Sequence, residues 1–255
     1  MGIVIGSLFL FGDRFGQDPG VTSVPPAGTS APPATGVPSV TSAALPTATV
    51  SIPTAPPTPT DSTVPVPPGW RLIISDPFDT NGNGWETGGF SNEWATQQWD
   101  LLSGKYHWVA MAHRSYATEN AIGGSVTDFY VSVVAIQTDG TDDASFGVAF
   151  RILESDTFYR FGVSNDGSVF FSRSIDWQAT PLVDWVPSSA VRINEENTIT
   201  VIGQGSHFRG YVNGQLVAEV DDAMIPSGQV GIDLGFDGIE RSVTVDFDDF
   251  ILYTP

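Results

Sequence analysis

Residues 146–173 read FGVAFRILESDTFYRFGVSNDGSVFFSR. Phe146, Val148, Phe150 and Ile152 alternate with small or charged residues, and Tyr159, Phe161 and Val163 repeat the pattern, which is the period of strands with one buried face. Asn165-Asp166-Gly167 then supplies an Asp-Gly pair, the signature of a two-residue hairpin turn. Such a turn pairs Asn165 with Ser168 and Arg160 with Arg173. A loop over 154–157 sets Arg151 opposite Arg160. Three arginines are then expected in one row on a face otherwise carrying Gly147, Ala149, Gly162, Ser164, Val169 and Phe171, with Phe170 among the core residues on the other face.

The same period continues in both directions. About a dozen strand-like segments rich in Val, Ile, Phe, Tyr and Trp lie between Trp70 and Tyr253, separated by Asn/Asp-Gly turns, and no convincing amphipathic helix appears. The expected fold class is all-β, a two-sheet antiparallel jelly-roll sandwich. Upstream, residues 16–68 are a Pro/Thr/Ser/Ala tract in which Asp18 and Asp61 are the only charges. Such a tract buries too little apolar surface to offset the entropy of ordering, so a disordered stalk is expected there, with the β domain over 69–255. Residues 2–12, GIVIGSLFLFG, are followed by Asp13 and Arg14. They are shorter than a spanning helix and lack a signal's basic n-region and small-residue cleavage site, and they read as the outer part of a membrane anchor or a signal remnant over 1–15. The expected location is extracellular, at the cell surface.

The formal charge of -19, from 10 Lys+Arg against 29 Asp+Glu, argues against nucleic acid and anionic lipid surfaces as partners. With Cys 0 there is neither a disulfide nor a lipidated cysteine.

Asn83-Gly84-Trp85 after Asp76-Pro-Phe-Asp79, then Gly104-Lys-Tyr106, residues 146–151, Phe158-Tyr159, Leu182-Val-Asp-Trp185, Tyr211-Val-Asn-Gly214 and the closing Val245-Asp-Phe-Asp-Asp-Phe250 follow one another in order. Together they resemble the concanavalin A-like, laminin G-like jelly roll, nearest to bacterial surface forms related to 3-keto-disaccharide hydrolase-like domains. The resemblance covers residues 69–253. It implies a fold used for glycan binding, glycan cleavage or adhesion, and fold alone does not choose among these.

Two constellations are candidates for a site. Asp79-Thr-Asn81-Gly-Asn83-Gly84 matches the opening of a calcium loop, D-x-[DN]-x-[DN]-G, although Phe90 stands where an EF-hand has its bidentate Glu. In related modules a structural calcium ties the first strand to the last, which here carries Asp246, Asp248 and Asp249. The resemblance thus implies a calcium ion held by Asp76 or Asp79, Asn81 and Asn83 with Asp248 or Asp249; an Asn/Gly turn flanked by solvated carboxylates is the alternative. The arginine row is the second constellation. Arg151, Arg160 and Arg173 would donate to a glycan in a trough of small residues, with Trp177, Trp185 or Trp108 as stacking walls. Alternatively Glu154, Asp156, Asp176 or Asp184 pairs with them structurally. Trp94 and Trp99 would stand at the groove rim. His107, His113 and His207 lack zinc-ligand spacing. No E-x-D-x-E strand motif, nucleophile elbow or phosphate loop occurs, and Glu154-Ser-Asp156 is the nearest fragment. The expected function is a non-catalytic, calcium-stabilised carbohydrate-binding or adhesion module whose partner is a surface glycan. A glycoside-active hydrolase and a structural envelope component are the alternatives.

Overall fold

A computed structural model describes residues 63–255 apart from 115, 155 and 237, together with the strand Ser7–Leu8. Residues 1–6 and 9–62, which carry most of the anchor and stalk expectations, lie outside the described residues. In chain order the strands are β1 (Ser7–Leu8), β2 (Arg71–Asp76), β3 (Gly88–Ser91), β4 (Ala95–Leu102), β5 (Lys105–Ala112), β6 (Tyr116–Val126), β7 (Phe129–Gly140) and β8 (Ser145–Glu154). They continue with β9 (Thr157–Ser164), β10 (Ser168–Ile175), β11 (Gln178–Pro187), β12 (Asn197–Gln204), β13 (His207–Val212), β14 (Gln215–Asp221), β15 (Gly228–Phe236) and β16 (Arg241–Thr254).

All pairings are antiparallel. One sheet runs β1-β6-β15-β8-β9-β10-β11, and the other runs β14-β13-β12-β7-β16-β5-β4-β3 with β2 beside the end of β16. Alternate residues from both sheets meet in one core, including Phe146, Val148 and Phe150 of β8, Val131, Val133 and Ala135 of β7, and Val245 and Phe247 of β16. Gly210 on β13 accommodates the Phe161 ring of the facing sheet, since a Cβ there would stand 2.5 Å from it. The all-β two-sheet sandwich is therefore as the alternation indicates.

β3, β6 and β11 have weaker sequence signals than their neighbours. Gly123 and Gly124 interrupt β6, and Pro181 and Pro187 lie in β11, an edge strand where a missing N–H is tolerated.

The hairpin at Asp166-Gly167 differs from expectation by one residue. Val163 pairs with Val169 and Arg160 with Ser172, so the turn holds Asn165, Asp166 and Gly167. Gly167 takes φ +91, and the Asp166 carboxylate accepts from Ser168 N at 3.0 Å and Ser164 Oγ at 2.9 Å. A one-residue slip moves every side chain of β10 to the other face. Phe171 and Val169 join the core, and Phe170 turns outward against Trp185. On β8 a bulge between Phe150 and Glu154, with Arg151 at φ +51, breaks the expected pairing of Arg151 with Arg160; Ala149 stands there instead.

Packing also begins ahead of residue 69. Val64 is buried against Tyr130 and Ile202, flanked by Val66, Trp70, Tyr211 and Tyr253, and Tyr130 OH donates to Val64 O at 3.2 Å.

Candidate functional site

The arginine row does not form, because the register slip and the bulge send the three guanidinium groups to different places. Arg160 points away from the other sheet, is fully buried, and makes a two-pronged pair with Asp233 on β15 (Nε to Oδ1 2.6 Å, Nη2 to Oδ2 2.7 Å). Its Nη2 also donates to Ser145 Oγ at 3.0 Å, and its plane lies 5.0 Å from the centre of the Phe170 ring. Gly235 is required beneath it, since a Cβ would stand 2.4 Å from Nη2. Burial pushes the Asp233 carboxyl up, and the guanidinium opposes that push.

Arg151 instead donates to three carbonyls, Ile225 O at 2.7 Å, Thr127 O at 3.0 Å and Gly205 O, and lies over the Phe208 ring. Arg173 pairs with Asp222, whose carboxylate also accepts from Tyr159 OH at 2.6 Å and Met224 N at 2.9 Å. These two arginines fasten the loop between β14 and β15. Asp222 neutralises Arg173 and Asp233 neutralises Arg160. Trp108 is buried and donates to Gln97 Oε1 at 2.8 Å, so it is no stacking wall. Trp99 is likewise buried, whereas Trp94 is half-buried beneath Arg114. Trp177 is half-buried in the turn between β10 and β11, and half-buried Trp185 packs against Phe170 with ring centres 4.6 Å apart and planes tilted by 37°.

Asp76, one of the expected calcium ligands, ends β2. Its buried carboxylate accepts from Phe78 N at 2.9 Å, Asn83 Nδ2 at 2.7 Å and Trp85 Nε1 at 2.8 Å. Three N–H donors stabilise its charge. Asn81 Nδ2 donates to Trp85 O at 2.8 Å, so the Asn-Gly loop clamps Trp85 and Phe78 against Tyr106. β2 and β16 are joined by backbone pairing, with Phe250 opposite Asp76. Asp79 lies beside Gly104, where a Cβ would stand 3.1 Å from its Oδ1. Asp248 and Asp249 belong to the exterior of the nine-stranded sheet. Among the described residues no three His, Asp or Glu side chains are grouped together.

The exterior of that sheet carries a groove. Because Val131 and Val133 face the core, Tyr130, Ser132 and Val134 face outward, and β12 presents Thr198 and Thr200 beside them. Ser132 Oγ and Thr200 Oγ1 share a hydrogen bond at 2.8 Å. With Thr63 and Val64 on one side and the Asn213-Gly214 turn and Ile251 around the rim, these residues enclose 440 Å³. A second groove of 470 Å³, lined by residues 64–68, Ile202 and Tyr211 among others, lies on the far side of Val64.

Asp249 is the one carboxylate lining the first groove. It is exposed, has φ +47, and sits where a bulge interrupts the pairing of β16 with β7. A bulge of this kind re-aims a side chain. Beside the groove Asp246 bonds His107 Nδ1 at 2.6 Å, Lys105 bonds Glu196 at 2.7 Å, and Asp248 stands 4.0 Å from Lys105. Burial pushes the Asp248 carboxyl up, the hydrogen bond it accepts from Asp249 N at 2.8 Å opposes that push, and the charge of Asp249 adds a smaller one. Except for Asp249, sequence reasoning did not single out these groove residues. The outward Ser and Thr positions were readable, but not the apposition of 132 with 200.

The sequence matches no protein-family model and no curated protein. Solved structures do match. The carbohydrate-binding module CBM66 from Bacillus subtilis is 18% identical, with 68% of this chain and 96% of that one covered at a TM-score of 0.52. The β-agarase B of Zobellia galactanivorans is 12% identical, with 76% and 98% covered at 0.51. These likenesses, with the two antiparallel sheets, establish that the described domain has the concanavalin A-like jelly-roll fold.

Proposed function

We propose that this domain is a carbohydrate-binding module that holds a glycan in the groove formed by Tyr130, Ser132, Thr198, Thr200 and Asp249. The groove itself carries the reading: 440 Å³ is the size of a small-ligand site, and its hydroxyls and single carboxylate are groups that exchange hydrogen bonds with sugar hydroxyls. In support, a carbohydrate-binding module and an agarase share the fold. The module acts outside the cell, tethered through its N-terminal segment. A calcium ion at Asp79 and Asn81 is a separate proposal, tested by a rise in Tm with calcium that Asp79→Ala abolishes.

A glycan array probed with the full chain should show binding. The exposed Thr198 is the side chain to remove, and Thr198→Ala should weaken that binding by about 1 kcal/mol with Tm unchanged. Binding that ignores this variant would place the site elsewhere.

One observation favours a second reading, glycoside cleavage. Asp246 and Asp248 project from the same face of β16 beside the groove, and burial raises the Asp248 carboxyl, the direction a general acid needs. New reducing ends from an array-positive oligosaccharide, lost in Asp248→Asn, would establish cleavage; intact oligosaccharide would establish binding alone.

A further inference from the structure

Asp249 has no ion-pair partner among the described residues, and no Lys, Arg or His lines the groove it enters. The next acidic groups, Asp248 and Glu196, share Lys105, and Asp246 has His107. Lys105 and His107 are thus spoken for beside the groove, Arg209 in the groove on the far side of Val64 bonds Gln204, and the groove's own carboxylate is left facing solvent. A groove of that charge disfavours a ligand bearing carboxylate or sulfate, because like charges brought together out of water repel. It favours one that brings a positive charge.

Asp249 stands on the rim while Ser132, Thr200 and Tyr130 form the floor, so a sugar ring lying over the hydroxyls would present a substituent to the carboxylate. We infer that the groove selects glycans containing unacetylated amino sugars, with Asp249 receiving the ammonium group as a charge-assisted hydrogen bond and the hydroxyl floor receiving the ring. This rests on the carbohydrate-binding reading above. It sets the ligand class against the uronate-bearing glycan that an arginine-lined trough would have taken.

Glucosamine oligomers, N-acetylglucosamine oligomers of the same length and oligogalacturonate are titrated calorimetrically into the full chain. The pH is mildly acidic, so that the sugar amine is protonated, and each titration is repeated with EGTA and with added salt. The expected result is about tenfold or more tighter binding of the glucosamine oligomer than of its acetylated counterpart, narrowing with salt, and no binding of oligogalacturonate. Asp249→Asn should abolish that difference. Asn tolerates the positive φ at this position, and an unchanged Tm checks the fold. Equal binding of both oligomers by the wild type, or a preference that survives in Asp249→Asn, overturns the amino-sugar inference and leaves the module reading intact. A preference that disappears with EGTA also overturns it, by making a metal ion the cation at Asp249. Absence of binding to any of the three, with an empty glycan array, overturns both.

Discussion

Arg160 and Asp233 show how a charge becomes structural. The pair is fully buried and forked, and it crosses β8, where Gly147 stands opposite Asp233 and Ala149 opposite Arg160. Removing one partner leaves the other charged and out of water, so Asp233→Ala should cost about 3–5 kcal/mol in urea unfolding. Replacing both with apolar residues of similar size should cost much less; a double variant as unstable as Asp233→Ala would mean that the pair itself supplies the stability. At Asp248 the sign is the opposite of the usual carboxylate. Its folded pKa is raised above the ordinary 3.8, so the folded state holds the proton more tightly than the unfolded one. Stability from this group is present below 3.8 and is lost as pH rises through the folded value. Asp248→Asn should therefore raise Tm at neutral pH, with the gain fading on acidification, and a Tm difference independent of pH would refute the assignment.

Among the elements, the segment 63–68 packs on the outer face of the nine-stranded sheet. Its composition is that of the Pro/Thr/Ser/Ala tract, yet Val64 and Val66 find an apolar surface made by Tyr130, Ile202 and Tyr211, and the Tyr130 hydroxyl holds Val64 O. Limited proteolysis of the full chain should leave a resistant fragment starting near Thr63, ahead of Gly69. Tyr130→Phe should cost about 0.5–1.5 kcal/mol and speed amide exchange at Val64 and Val66. A fragment starting beyond Gly69 in the wild type would show that this segment does not hold. Irregularities of the strands matter as much as the strands do. The three-residue turn at Gly167 and the bulge at Arg151 redirect side chains that uniform alternation would have aligned, and the bulge at Asp249 aims a carboxylate into the groove.

For the molecule as a whole, the class of fold was legible because period-two alternation and Asn/Asp-Gly turns are local properties. A strand with one buried face tends to show the alternation whatever it pairs with. The charge of -19 likewise restricted the partners without any structure. The site was not legible, for two reasons. A hairpin's register depends on whether its turn has two residues or three, and one residue exchanges core for surface along the whole strand, which is how Phe170 and Phe171 came to trade places. The partners of buried charges also come from strands distant in sequence. Asp233 meets Arg160 across β8, Asp222 meets Arg173 from a loop, and Ser132 meets Thr200 only because β7 and β12 are neighbours in the sheet. The sequence by itself determined which residues would seek burial and that they would do so as strands; tertiary structure alone decided which charges were neutralised internally and which carboxylate was left facing a groove, because those outcomes depend on strand order and register, which alternation does not encode.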